Sequence, residues 1–194
     1  VAFDAYLTFN GSLCYDRKGV IFSNPIPHKD VVRFIQNAAA LGRPVCVSTK
    51  DRLAANGTDV DLTDYFAIAN EDVPIVDNFD AMCEEDIYQL MLGCRPKDYP
   101  ALLDGAPGAK IAAWWDRAVD VIPAGGGKGV GIEKMLAYYG LDKAEALAFG
   151  DGNNDREMLQ AVGTGVAMEN GSPELKALAD EICGPVYEDG IYHY

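Results

Sequence analysis

Six consecutive residues, Gly150-Asp151-Gly152-Asn153-Asn154-Asp155, combine two carboxylates, two amides and two glycines. They follow an apolar run at 146–149 and precede a helical pattern carried by Met158, Leu159 and Val162. That order puts the acids at the carboxyl end of a strand, where open α/β sheets bind their ligands. Asp151 and Asp155 are hard oxygen donors suited to magnesium, and amides at the start of the following helix can meet an anion. The same residue types also make an ordinary turn-rich loop between a strand and a helix. A calcium loop of EF-hand type is excluded, because Arg156 stands where the sharp-turn glycine belongs and Val162 where the bidentate glutamate belongs.

The second chemical signal is Gly125-Gly126-Gly127-Lys128-Gly129. It is not a Walker A loop: Ile122 occupies the first glycine position, and Gly129 replaces the Ser/Thr after the lysine. What remains is a cation at a flexible loop-to-helix junction, able to reach a phosphate held by the sheet. A lone lysine there is also commonly just solvated. Its weight comes from its company, since a right-handed crossover brings Lys128 and the acidic loop to the same end of one sheet.

The elements that must position these residues alternate. Apolar and turn residues at 3–24 read as short strands, with a hairpin signal at Asn10-Gly11 and a second turn at 16–19. Pro27 opens a helix carried by Val31, Phe34, Ile35, Ala38 and Leu41, and Gly42 supplies a left-handed cap. Strand-like runs recur at 45–47, 75–76, 88–92 and 111–115, with an amphipathic stretch at 98–103. After Pro123, Ile132, Met135, Leu136 and Tyr139 mark a helix that Gly140 ends. The run at 146–149 suits a parallel strand buried on both sides. A strand at 166–168 and a helix from Ser172-Pro173 follow. Short connections between alternating α and β elements predict an α/β fold, a Rossmann-like doubly wound parallel core sheet with an inserted α+β domain.

Composition narrows the function. Hydrophobic residues make up 49% and charged residues 24% of the chain, values of a folded globular protein and not of a disordered one. A net charge of -14 argues against nucleic acid, because no basic patch could release phosphate counterions. It does not argue against a small anionic substrate, since one metal ion and one lysine reverse the local field. Five cysteines without a C-x-x-C pair read as buried thiols in a reducing compartment. No signal peptide or spanning apolar run is visible, so the expected location is cytoplasmic, with no membrane partner.

The segments around these residues resemble the Cof-type (class IIB) branch of the haloacid dehalogenase phosphatases. The resemblance is carried by Trp114, Asp120-Val121-Ile122-Pro123, Lys128-Gly129 and the run from Gly150 through Asp155-Arg156-Glu157-Met158-Leu159. Gly165-Val166-Ala167-Met168 and Glu188-Asp189-Gly190-Ile191 fit its C-terminal pattern, and Thr8-Phe9-Asn10-Gly11 followed by Ile26-Pro27 fits an exit from the core into a mobile cap. It implies a magnesium-dependent phosphatase working through an aspartyl-phosphate. Asp151 would be the Mg2+ ligand, with Asp155 supporting the metal site and the lysine. Lys128 would neutralise charge on the transferring phosphoryl group and the nucleophile, and Asn154 would contact the phosphoryl group or the substrate. Lys128 and Asp151 are then the catalytic residues, Lys128 and Asn154 bind substrate, and Asp151 and Asp155 form the metal site. Asp151, Asn154 and Lys128 are expected to converge on one pocket at the carboxyl end of the sheet, facing the cap. The expected partner is a small phosphorylated metabolite, a sugar phosphate first.

The family's DxDGT nucleophile motif does not occur in the sequence. Phe3-Asp4-Ala5-Tyr6-Leu7-Thr8 imitates it, with Tyr6 in place of the second acid and Leu7 in place of the glycine, and Val45-Cys46-Val47-Ser48-Thr49 imitates the Ser/Thr motif. Taken as real, they leave almost no room for a cap; taken as imitations, the chain from Asp4 to Gly11 approaches the cap and Ser48-Thr49 lies within it. The second alternative is the one expected. It also fits the start at Val1, with about 50–80 N-terminal residues missing, the length of two βα units. The expected division is then core at 1–22, cap at 23–110 and α/β core at 111–194. The full-length protein would be a monomer, and the chain given would be inactive and able to associate through an exposed core edge. A non-catalytic metal- or phosphate-binding relative, and an unrelated α/β domain with an incidental acidic loop, are the competing readings.

Overall fold

Two tight turns fold the start of the chain into a three-stranded antiparallel sheet in the computed structural model, which describes residues 3–194. Its strands are β1 (Ala5–Thr8), β2 (Leu13–Asp16) and β3 (Gly19–Ser23). The Asn10-Gly11 signal is a real hairpin: both residues are left-handed, with φ of 52° and 87°, a conformation that Asn and Gly tolerate best. At the second turn the Asp16 carboxylate accepts from the N–H groups of Lys18 and Gly19. The start at Val1 lies outside the described residues.

The chain divides into two compact units, one holding residues up to Ser23 with Gly127–Tyr194, the other Asn24–Gly126. The inserted unit begins with α1 (His28–Ala40), which buries Val31, Phe34 and Ala38 along one stripe and ends at Gly42 with φ of 67°. Then come β4 (Cys46–Ser48), β5 (Leu53–Ala55), α2 (Val60–Ala67), the short α3 (Phe79–Met82), β6 (Gln89–Gly93), α4 (Tyr99–Leu102), β7 (Ala109–Ala112) and β8 (Ala118–Pro123). The strands form one antiparallel sheet in the order β5-β4-β6-β8-β7. Strand alternation sends Val47, Leu90, Leu92, Val119 and Val121 into a cluster with the α1 stripe, and Cys46, Ala55 and Met91 into a cluster with Leu62 and Phe66 of α2. The sheet is therefore covered on both faces.

Two expectations are corrected in this unit. The run at 111–115 was assigned to the α/β core, but β7 pairs with β8 and β8 with β6, so the boundary lies at 126–127 and not at 110. Periodicity identifies a strand without identifying its partner, and only the hydrogen bonds settle which sheet takes it. At 75–76 a single bridge, Ala55 to Ile75, replaces the expected strand. Ser48 and Thr49 are buried inside this unit, at and just beyond the end of β4.

The other unit continues with α5 (Lys128–Tyr139), β9 (Leu147–Gly150), α6 (Arg156–Gln160), β10 (Thr164–Met168), α7 (Pro173–Lys176), β11 (Glu181–Cys183) and α8 (Gly190–His193). The strands β11-β10-β9 are parallel and sequential, so among the described residues the winding runs in one direction. Gly140 caps α5 at φ of 67°, and the Ser172 hydroxyl accepts from the Leu175 N–H to cap α7, both as expected. β9 is not covered on both sides among the described residues: Leu147 is 49% exposed, and no described strand pairs with the outer edge of β9, the open core edge expected for the chain as given. β10, with neighbours on either hand, buries Val166 and Ala167 completely. All five cysteines are free and buried, and burial pushes the Cys14 thiol up to about 11 and the Cys46 thiol up to about 12. No helix among the described residues is long and apolar enough to cross a membrane.

Candidate active site

Lys128 is the first residue of α5, after Gly127 in an extended left-handed conformation at φ of 138°. A cation at a helix N-terminus opposes the macrodipole, a cost of about 0.3–1 kcal/mol. The compensation is local, since the Lys128 amine forms an ion pair with Oδ1 of Asp155. Asp155 is buried, and Lys128 is three-quarters covered at the side chain. Gly129 is required beside it, because a Cβ there would lie 2.8 Å from the Glu157 carbonyl. The absent side chain lets the first turn of α5 close onto α6 and brings the lysine to the acidic loop.

The loop itself is organised by Asp155. Its Oδ2 accepts from the N–H groups of Asp151 at 3.0 Å and Gly152 at 2.9 Å, while Oδ1 takes Lys128. The N–H groups of Asp151 and Gly152 are thereby committed to Asp155, and Asp155 has both oxygens engaged within the protein, in keeping with a residue that supports the loop and the lysine. Its place at the end of a 3-10 turn, Asn153–Asp155, points it back at the loop it follows.

Asp151 is the exposed carboxylate of the pair, at the carboxyl end of β9. Its Oδ2 accepts from Nδ2 of Asn170 at 3.0 Å. Asn154 donates through Nδ2 to Oδ1 of Asn10 at 3.2 Å, and the Ser172 hydroxyl donates to Oδ1 of Asn153. Lys128 and the Asp151 backbone N–H thus both meet the Asp155 carboxylate, while the Asp151 carboxylate bonds to Asn170 and the Asn154 amide to Asn10.

Asn10 and Asn170 were not singled out from sequence. Asn10 enters the sequence reading as a hairpin former and as part of the exit into the cap, and its partner lies 144 residues away. The contact exists because Gly11 presses the hairpin tip onto the start of α5, where a Cβ would meet the Gly127 carbonyl at 2.4 Å. Asn170 carried a usable signal: it follows β10, and the carboxyl ends of adjacent parallel strands are neighbours. Asp4, the imitation nucleophile, is exposed and precedes β1, an antiparallel strand. It therefore stands at the amino end of its strand, where Asp151 stands at the carboxyl end of a parallel one.

Among the described residues no group of three or more His, Cys, Asp or Glu side chains forms a ready metal cage. Magnesium does not require one. It is held by one or two carboxylates and keeps several waters. Asp151 fits that demand, with one oxygen tethered by Asn170 and its side chain exposed. Asp155 fits as the residue that holds the loop and the lysine in place.

Relatives of known structure share this arrangement of elements. A phosphatase of the haloalkanoate (HAD) enzyme superfamily from Bacteroides thetaiotaomicron superposes with a TM-score of 0.87 at 27% identity, covering 100% of this chain and 73% of that one. A HAD subclass IIB sugar phosphatase superposes at 0.86 and 27% identity, over 98% of this chain and 74% of its own. In sequence, the YkrA protein of Bacillus subtilis is 34% identical over 189 residues, 96% of this chain and 72% of YkrA. The model of the haloacid dehalogenase-like hydrolases matches residues 1–194. A match running the length of the sequence, joined to neighbours of the same mixed α/β fold, shows that the chain belongs to the haloacid dehalogenase-like hydrolase family.

Proposed function

We propose that these residues form the greater part of a magnesium-dependent phosphatase acting on small phosphorylated metabolites, sugar phosphates first, through an aspartyl-phosphate. One observation carries the reading: the Asp155 carboxylate takes the Lys128 amine on one oxygen and the Asp151 backbone N–H on the other, so the lysine and the acidic loop meet at the carboxyl end of β9. A carboxylate able to ligate a metal and a compact ammonium held at the same loop suit one phosphoryl group, whose transfer depends on positioning and charge stabilisation. The similarity to a subclass IIB sugar phosphatase supports the substrate class.

Within this reading Asp151 would hold magnesium, which when bound supplies positive charge against the phosphoryl oxygens. Lys128 places a second positive charge at the same group. Asp155 keeps the Lys128 amine oriented and the loop closed. Asn154, positioned by Asn10, presents an amide to the phosphoryl group or the substrate.

The sequence contains no DxDGT run, so the 194 residues by themselves have no group to form the aspartyl-phosphate. The second reading is a binding relative that keeps the metal loop without turnover. Phosphate release from p-nitrophenyl phosphate and from sugar phosphates separates the two. The chain of 20.9 kDa is expected to release none with magnesium in excess. A form carrying a DxDGT-bearing segment ahead of it is expected to turn over. Failure of that longer form would favour the binding relative. Steady turnover by the chain alone, abolished by Asp4→Asn, would instead make Asp4 the nucleophile.

A further inference from the structure

We propose that Asn170 is a positioning residue for the Asp151 carboxylate, and that the backbone N–H of Val186 sets the orientation in which it acts. The inference rests on the reading of Asp151 as the magnesium ligand. Asn170 follows β10, whose Ala167 pairs with Gly150 of β9, so it stands beside the acidic loop. Its Nδ2 donates to Asp151 Oδ2 at 3.0 Å, and its Oδ1 accepts from the Val186 N–H at 3.0 Å.

The second bond decides the meaning of the first. The two ends of an asparagine amide differ only in hydrogen-bonding sense. A backbone N–H can only donate, so Val186 selects the Asn170 oxygen and turns the NH2 group toward Asp151. Asp151 is exposed, and no bond besides the one to Asn170 is found for its carboxylate among the described residues. Asn170 therefore restricts its rotation before any ligand arrives and leaves Oδ1 presented. Groups that orient a ligating carboxylate in this way are commonly worth ten- to hundredfold in metal affinity.

The alternative is that Asn170 only docks the tail, tying the 3-10 turn Val186–Glu188 to the end of β10. Docking would affect stability and not metal affinity. Manganese binding followed by EPR, in competition with magnesium, separates the two when combined with melting of the metal-free chain. Asp151→Asn should abolish binding. Asn170→Ala should weaken magnesium roughly ten- to hundredfold. Val186→Pro should weaken it by a smaller factor with metal-free melting unchanged. Val186 opens its turn after Pro185 in extended conformation, a position where proline fits and only the N–H is lost. Wild-type affinity in Asn170→Ala or Val186→Pro, with Asp151→Asn still unable to bind, would overturn the positioning role and leave the magnesium reading standing. Wild-type affinity in Asp151→Asn would overturn both.

Discussion

The lysine and its aspartate define the residue scale. Lys128 begins a helix whose dipole repels it, and it stays because Asp155 is buried against it. Such a placement is poor for helix stability and good for presenting charge to an anion. In a form carrying the DxDGT segment, Lys128→Ala is expected to lower kcat about 10²–10³-fold, the usual loss for one charge-stabilising group. Lys128→Arg is expected to restore little, because a planar fork does not reproduce a compact ammonium. Steady-state kinetics on the two variants checks this, and near-normal turnover by Lys128→Ala would remove the lysine from the mechanism. The types and spacing of Lys128, Asp151, Asn154 and Asp155 were legible in the sequence. The division of labour between the two aspartates was not, because it depends on which way each carboxylate turns. Asp155 turns inward to two amides and the lysine, while Asp151 turns outward.

At the scale of elements, α2 is fastened by one acid. Asp61, in its first turn, is buried and accepts from Arg43, Arg95 and Arg117, with Asp59 capping the helix through the Leu62 N–H. The hydrogen bonds from Arg95, followed by those from Arg117, hold the Asp61 carboxyl below its ordinary value of 3.8 against the opposing effect of burial. An acid with a depressed folded pKa stabilises the protein fully above its unfolded pKa, and that contribution fades as pH falls through the folded value. Acid unfolding below about pH 4 is therefore expected to include an Asp61 component, which Asp61→Asn should abolish from the stability–pH curve. The same substitution is expected to cost about 2–3 kcal/mol at pH 7, less than a fully buried pair, because the arginines remain partly hydrated. Urea melts at several pH values measure both. A second element-scale prediction concerns β9, whose outer edge pairs with no strand among those described. Open edges template association, and a charge blunts them. The 194-residue chain is expected to self-associate with concentration, and Leu147→Lys to reduce that association in sedimentation velocity. Concentration-independent sedimentation of the parent chain would refute it.

For the whole molecule, the consequential feature is the division at 23–24 and 126–127. The inserted unit has a core of its own around Phe34, Leu90, Leu92 and Val121 and a sheet covered on both faces. Residues 24–126 expressed alone are thus expected to melt in one cooperative transition with a structured near-UV spectrum; an ANS-binding, non-cooperative species would show that the core is not self-sufficient. The sequence by itself determined the family, the acidic loop, the lysine, the hairpin at Asn10-Gly11 and the helix caps at Gly42, Gly140 and Ser172. Each of these is a local matter, fixed by φ preferences, capping chemistry or short spacing along the chain. Only the tertiary structure decided that β7 and β8 join the inserted sheet and that Asn10 and Asn170 reach the acidic loop. Those facts are pairings between segments distant in sequence. A strand's pattern states that it has a buried face, and the partner that buries it is chosen by the packing of the whole chain.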